Sequence, residues 1–107
     1  MLITGGYNVY PSEIEELIAR HPSAEEAIVL GLPEQRLGTE LVAIVKAAHG
    51  QDVTTVPTSC SEQLPRYKIP RRFYVVDQWP MTNSGKISRR TLEDWLAESN
   101  PKLTRLK

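Results

Sequence analysis

The chain has 107 residues, 13 acidic and 13 basic side chains and a hydrophobic share of 40%, which together indicate one small globular domain. No run of about 18 apolar residues is present, and the first residues lack the features of a secretory signal. The two histidines and the single cysteine, Cys60, show no metal-ligand spacing, and a lone cysteine forms no internal disulfide. We therefore expect a cytoplasmic protein with no metal site, no membrane span and no nucleic-acid partner.

The charges are distributed unevenly along the chain. Residues 1–63 contain nine acidic and three basic side chains, whereas residues 64–90 contain seven basic side chains and one acidic side chain. Such polarity would steer an anionic ligand toward the basic part of the domain. The alternative, that a given arginine is ordinary solvated surface charge, stays open for each of them taken alone.

The first half of the chain predicts one helix and two strands. Ser12 and Glu15 form a capping box, which predicts a helix over residues 13–20 with an apolar inner face. Residues 27–32 and 41–48 are rich in aliphatic and β-branched side chains, so we predict a strand in each.

The second half is predicted to add one strand and one helix. A strand is predicted over residues 72–76 and a helix over 89–98, with Ser88 as its N-cap. A short helix beginning near Thr55 stays open, and residues 101–107 are expected to form a loose tail. This order predicts an α+β fold, a small domain whose short, mainly antiparallel sheet of about three strands is flanked by helices.

A polar segment over residues 80–89, PMTNSGKISR, places one lysine in a predicted turn. It is rich in turn-forming residues and too poor in apolar ones to pack as a core element. Lys86 is therefore displayed where it can reach an anion. A phosphate-binding P-loop is excluded, because that motif needs glycine at Pro80 and Ser or Thr at Ile87. An isolated Gly-Lys pair would more often be a solvated turn.

A second segment lies near the other end, where residues 3–15 read ITGGYNVYPSEIE. Paired glycines allow positive φ or close approach of the backbone to a ligand, although alone they are more often an ordinary turn. The two segments together resemble the signatures of the adenylate-forming enzymes, Gly-Gly-x-Asn-Val/Ile-x-Pro-x-Glu-Ile/Val-Glu and Pro-x-Thr-x-x-Gly-Lys-Ile/Leu-x-Arg. The resemblance covers nearly the whole chain, and residues 8–11, NVYP, look like the acyl-CoA synthetase branch.

This resemblance implies roles for both segments. Lys86 would be the lysine that contacts the carboxylate substrate and the nucleotide during adenylation, with Thr82 and Gly85 supporting its loop. Gly5 and Gly6 would line the channel for the pantetheine arm of coenzyme A. The resemblance also implies that the lysine is a target for acetylation, which would remove its charge; an unmodified catalytic lysine is an equal alternative.

A third segment, YKIPRR at residues 67–72, is similar to a family stretch near the nucleotide end of coenzyme A. Tyr67 would stack on a ring, and Lys68 and Arg71 would contact phosphate. Basic side chains of a structural edge strand are an equal alternative.

The resemblance implies that residues 1–100 are the mobile C-terminal domain of an ATP-dependent, AMP-forming acid:CoA ligase, active in fatty acid metabolism. Its substrates would be ATP, coenzyme A and a carboxylic acid, with Mg²⁺ bound beside ATP by the large N-terminal domain. The chain opens just after the family's hinge position, so we expect it to need that domain, in the same chain or as a separate subunit, and to be inactive alone. A stand-alone module that binds coenzyme A or a carrier, or a regulatory module, is the alternative.

Overall fold

A computed structural model describes residues 1–36 and 38–106, and within them it contains a four-stranded sheet, a two-stranded hairpin and three α-helices. The helices are α1, Pro11–Ala19, α2, Val56–Gln63, and α3, Arg89–Ala97. The strands are β1, Leu2–Thr4, β2, Tyr7–Val9, β3, Ala24–Glu34, β4, Gly38–Ala47, β5, Arg72–Val76, and β6, Leu103–Leu106. The predicted α+β fold is confirmed.

The larger sheet has the strand order β3-β4-β5-β6. The outer two pairs are antiparallel and the central pair, β4 with β5, is parallel, so the sheet is mainly antiparallel as predicted. It has four strands instead of about three because β6 pairs with β5. The hairpin of β1 and β2 forms a separate small sheet.

The C-terminal segment differs from its prediction. Residues 101–107 were expected to form a loose tail, but Leu103–Leu106 is an edge strand; residue 107 lies outside the described residues. Leu103 packs into the hydrophobic cluster on one side of the sheet, and Leu106 packs against the cluster on the other. Burial of these two side chains favours the strand over a solvated tail.

The start of α1 also differs from its prediction. The N-cap position is Tyr10, no side chain caps the helix, and Pro11 occupies the first turn, where a missing N–H costs nothing. The capping box of Ser12 and Glu15 was therefore wrong. The Glu15 carboxylate instead accepts a hydrogen bond from the backbone N–H of Val29 at 2.8 Å.

The other two helices agree with the sequence. α3 begins after Ser88, whose hydroxyl accepts from the Thr91 N–H at 3.2 Å, as an N-cap does. α2 forms next to Thr55 even though it contains Pro57, because the proline lies in the first helical turn.

The core is divided between the two faces of the sheet. Ile14 and Ile18 of α1 pack with Val29 on one face, together with α2. Ile28 faces the opposite side, where it packs with Leu92 of α3. Neighbouring residues of a strand point to opposite faces, which explains the division. No helix in the described part of the chain is long and apolar enough to cross a membrane.

Candidate functional site

The Lys86 turn, residues 81–87, is a tight hairpin closed by an antiparallel bridge between its first and last residues. The Gly85 N–H donates to the Thr82 carbonyl at 3.0 Å, and the Thr82 N–H donates to the Lys86 carbonyl at 2.7 Å. Gly85 has φ +82°, which a residue with a Cβ rarely adopts. This pattern is a three-residue hairpin loop with glycine at the bulge position.

The Thr82 hydroxyl completes the turn. It accepts from the Lys86 N–H at 3.2 Å and lies 3.0 Å from the Ser84 hydroxyl. The Lys86 side chain is exposed, and its ammonium forms no hydrogen bond or ion pair with any other described residue. The structure thus places Thr82 and Gly85 where they hold the backbone of the turn, and it leaves one ammonium free to meet an anion.

A cleft of about 730 Å³ lies beside the β1–β2 hairpin, within the size range of ligand sites in proteins. Three arginines and two tyrosines are prominent in its lining, and none of the described lining residues is acidic. The lining includes Gly5, Tyr7, Arg36, Arg66, Tyr67 and Arg71. The cleft therefore combines aromatic surface with positive charge, a combination suited to a phosphorylated ring.

Two stacked rings form one wall of this cleft. The centroids of Tyr7 and Tyr67 are 4.3 Å apart, with 16° between the ring planes. Tyr7 belongs to β2, and Tyr67 lies in a 3₁₀ turn, Arg66–Lys68, just before β5. The stack joins the hairpin to this basic segment, and both rings stay partly exposed.

Gly5 and Gly6 form the two-residue turn of the hairpin. Their φ values, +56° and +85°, are those of the turn type that best fits the twist of a hairpin. Gly5 also lines the cleft, whereas a Cβ at Gly6 would meet no atom of the described residues within 4 Å. The glycines thus satisfy the ordinary-turn interpretation, and one of them is placed at the candidate binding surface as well.

Lys68 does not line the cleft; its ammonium lies 5.8 Å from the centroid of the Tyr67 ring and is paired with α1. Its ammonium donates to both carboxylate oxygens of Glu13 on α1, at 2.9 and 3.2 Å. These hydrogen bonds raise the pKa of Lys68 above its ordinary value. The structure therefore brings together Gly5, Tyr67 and Arg71 of the predicted set, while Lys68 ties their segment to α1.

Sequence reasoning missed Tyr7, Arg36 and Arg66 as lining residues. Arg66 directly precedes the segment 67–72, so its position in the sequence could have indicated it. Arg36 lies in the acidic half of the chain, on the connection between β3 and β4, and no local pattern pointed to it. Only the tertiary fold brings it to the cleft.

The remaining titratable candidates carry no site. No group of three or more His, Cys, Asp or Glu residues in the described part of the chain is arranged to hold a metal ion. Cys60 is buried, and this burial raises the pKa of its thiol to about 11. A thiol that stays protonated is a poor nucleophile, so Cys60 is a core residue.

Comparison with known proteins covers most of the chain. The model of the AMP-binding enzyme C-terminal domain matches residues 13–86, which end at the lysine of the turn. The chain is 34% identical over 100 residues to the mitochondrial medium-chain acyl-CoA ligase ACSF2 of Mus musculus, covering 92% of this chain and 16% of that protein. It is 40% identical over 96 residues to the putative acyl-CoA synthetase YngI of Bacillus subtilis, covering 88% and 18%.

A solved structure shows the same fold. ATP-bound MatB from Rhodopseudomonas palustris superposes with a TM-score of 0.81 at 33% identity, over 89% of this chain and 20% of that one. The chain thus spans between 16% and 20% of the length of these three relatives.

Proposed function

Because the chain belongs to the family of AMP-binding enzyme C-terminal domains, we propose that the folded domain, with β6 included, acts as the mobile C-terminal domain of an ATP-dependent, AMP-forming acid:CoA ligase. The observation that carries this proposal is the exposed Lys86 ammonium, which pairs with no other described residue and lies at the base of a hydrogen-bonded hairpin loop. The nucleotide-binding remainder of the enzyme is assigned to a large N-terminal domain, in the same chain or in a separate subunit.

Lys86 would act in adenylation. In this step a carboxylate oxygen bonds to the α-phosphorus of ATP and pyrophosphate leaves, so two anionic groups must meet. Their repulsion in a partly desolvated cleft is large unless a cation is shared between them. A compact ammonium on a flexible stem can serve both groups as they move, which a planar guanidinium does less well.

The cleft would act in the second half-reaction. There the thiol of coenzyme A attacks the acyl carbonyl of the adenylate, forming the thioester and releasing AMP. Tyr67 and Arg71 would contact the nucleotide end of coenzyme A, and the Gly5-Gly6 turn would pass close to its pantetheine arm. Between the two half-reactions the domain would rotate. The Lys86 turn would then leave the active site, and the cleft would face it instead.

The proposal extends to the metal ion, the metabolic role and the compartment. Mg²⁺ would accompany ATP in the large domain, since the described residues offer no cluster of ligands for it. The resemblance to a medium-chain acyl-CoA ligase supports a role in fatty acid metabolism. A buried free thiol fits a reducing compartment, which supports our placement of the ligase in the cytoplasm.

The direct test is Lys86→Ala in the complete ligase, with Lys102→Ala as the matched control. Lys102 is also exposed, and its ammonium lies 5.0 Å from the centroid of the Trp95 ring, outside the segment that forms the turn. We expect Lys86→Ala to slow pyrophosphate release more than about 100-fold and Lys102→Ala to leave it unchanged. Equal rates for both variants would contradict the proposal. Coenzyme A binding by the chain alone, with no effect of Lys86→Ala, would instead indicate a stand-alone module.

A further inference from the structure

One carboxylate joins three elements at the edge of the sheet. Glu15 Oε2, on α1, accepts from the Val29 N–H at 2.8 Å and from Arg89 Nη2 at 3.3 Å. Arg89 Nη1 also points to the Val29 carbonyl, at 3.5 Å. We name Glu15, Val29 and Arg89 the edge clamp.

The edge clamp lies where the sheet is open. Among the described strands β3 pairs only with β4, so alternate backbone groups along its outer side have no neighbouring strand there to bond. Glu15 and Arg89 supply a partner for both polar groups of Val29. The Glu15 side chain is 18% exposed and that of Arg89 is 51% exposed, so the carboxylate is shielded from solvent while the guanidinium is half open to it.

The clamp also connects the two layers of the core. α1 packs on one face of the sheet and α3 on the other, and the pair of Glu15 and Arg89 passes around the β3 edge between them. α3 packs on its face of the sheet through the buried Leu92 and the partly buried Trp95 and Leu96, which lie in the middle and at the end of the helix. Arg89, the first residue of the helix, attaches its N-terminal end.

Hydrogen bonds of Ser88 connect the N-terminus of α3 to the Lys86 turn. Arg89 follows Ser88, whose N–H donates to the Pro80 carbonyl at 2.7 Å and whose hydroxyl caps α3. Both ends of the turn are therefore tied to the N-terminus of α3. A shift of that N-terminus moves Lys86 with it.

We propose that Glu15 and Arg89 are positioning residues for Lys86, and that the edge clamp aims the turn into the adenylation site. This inference rests on the proposed function of Lys86. Glu15 ends the segment 3–15 and Arg89 ends the segment 80–89. Their contact gives a physical reason for an acidic residue in the first segment and an arginine in the second. Displacement of a reacting group by about 1 Å can cost up to about 100-fold in rate.

The test is a cycle of variants in the complete ligase. Arg89→Ala should slow pyrophosphate release about 10-fold in the Lys86 enzyme and less than about 2-fold in the Lys86→Ala background, because the clamp acts through that lysine. Arg89→Lys should recover part of the loss, since it keeps a cationic donor. Thioester formation from supplied acyl-adenylate should change less than about 2-fold.

Glu25→Gln is the control, because it removes another ion pair of β3, the 3.1 Å contact with Lys46, without touching the turn. It should leave both half-reactions unchanged. Equal losses from Arg89→Ala in both backgrounds, or in both half-reactions, would overturn the positioning role and show a purely structural one. If Lys86→Ala alone has no effect, the proposed function fails; amide exchange in residues 81–87 then decides the clamp separately, since Arg89→Ala should speed it and Glu25→Gln should not.

Discussion

The Lys86 turn and the cleft are built in opposite ways. The turn holds itself by bonds among residues within five positions of one another, from Thr82 to Lys86. The cleft exists only because three distant segments meet, joined by the stack of Tyr7 on Tyr67 and by the pair of Lys68 and Glu13. A change in one region should therefore leave the other intact, and their functions should be separable by substitution.

The largest effect is expected from acetylation of Lys86. The modification removes the charge that offsets the carboxylate and the phosphate, so pyrophosphate release should fall more than about 100-fold. Enzyme carrying acetyl-lysine at this position, before and after deacylase treatment, measures the effect. Full activity of the acetylated enzyme would refute the role, and mass spectrometry of the native protein shows whether the modification occurs.

A smaller effect, on the other half-reaction, is expected from Gly6→Val. A β-branched side chain there should obstruct the pantetheine arm and lower thioester formation about 10-fold, while pyrophosphate release stays near its normal rate.

Gly50→Val is the matched control, because Gly50 has φ +73° and equally open surroundings and does not belong to the hairpin that borders the cleft. A valine at Gly50 should cause similar backbone strain. If both variants lower thioester formation equally, strain explains the loss and Gly6 is only a turn residue.

The arginines of the cleft are expected to act on affinity. Replacing Arg66 and Arg71 together by glutamine removes two charges from a cleft whose described lining residues include no acidic side chain. The KM for coenzyme A should rise about 10-fold, with pyrophosphate release unchanged. The same double variant should show a weaker dependence of this KM on salt. An unchanged KM would show that these guanidinium groups are solvated surface charge.

The smallest effect concerns stability at alkaline pH. Hydrogen bonding to Glu13 raises the pKa of Lys68, so this contribution is full below the ordinary lysine pKa and is lost as pH rises through the folded-state value. As pH rises from the ordinary lysine pKa through the folded-state value, the free energy of unfolding should therefore fall less for Lys68→Gln than for the parent protein. Urea unfolding of both proteins measures it.

The Cys60 thiol, whose pKa is raised to about 11 in the folded state, also lowers the free energy of unfolding as pH rises. Both proteins contain it, so its contribution cancels when their stabilities are subtracted. Parallel curves for the two proteins would argue against the pair of Lys68 and Glu13.

The contrast also explains what the sequence could predict. The turn was foreseeable because Thr82 and Gly85 act through bonds to near neighbours, which residue type and spacing encode. β5 matched its predicted bounds because its aromatic and β-branched residues favour a strand. The cleft was only half foreseeable, since Arg36 reaches it through the pairing of β3 with β4. β6 was missed because its stability comes from the sheet edge and from core contacts distant in sequence.

The capping box failed for a related reason. Ser12 and Glu15 have the right spacing, but Pro11 already starts the helix, and the glutamate is used by the edge of β3. A local pattern was overridden by a tertiary contact, and that contact became the edge clamp.

The central claim, that the two regions serve different half-reactions, is tested most directly by measuring both half-reactions on Lys86→Ala and Gly6→Val side by side. Pyrophosphate release with acid and ATP reports the first, and thioester formation from supplied acyl-adenylate reports the second. The account predicts a crossed result: Lys86→Ala loses more than about 100-fold in the first and little in the second, and Gly6→Val does the reverse with a smaller loss. Parallel losses of both variants in both half-reactions would contradict it.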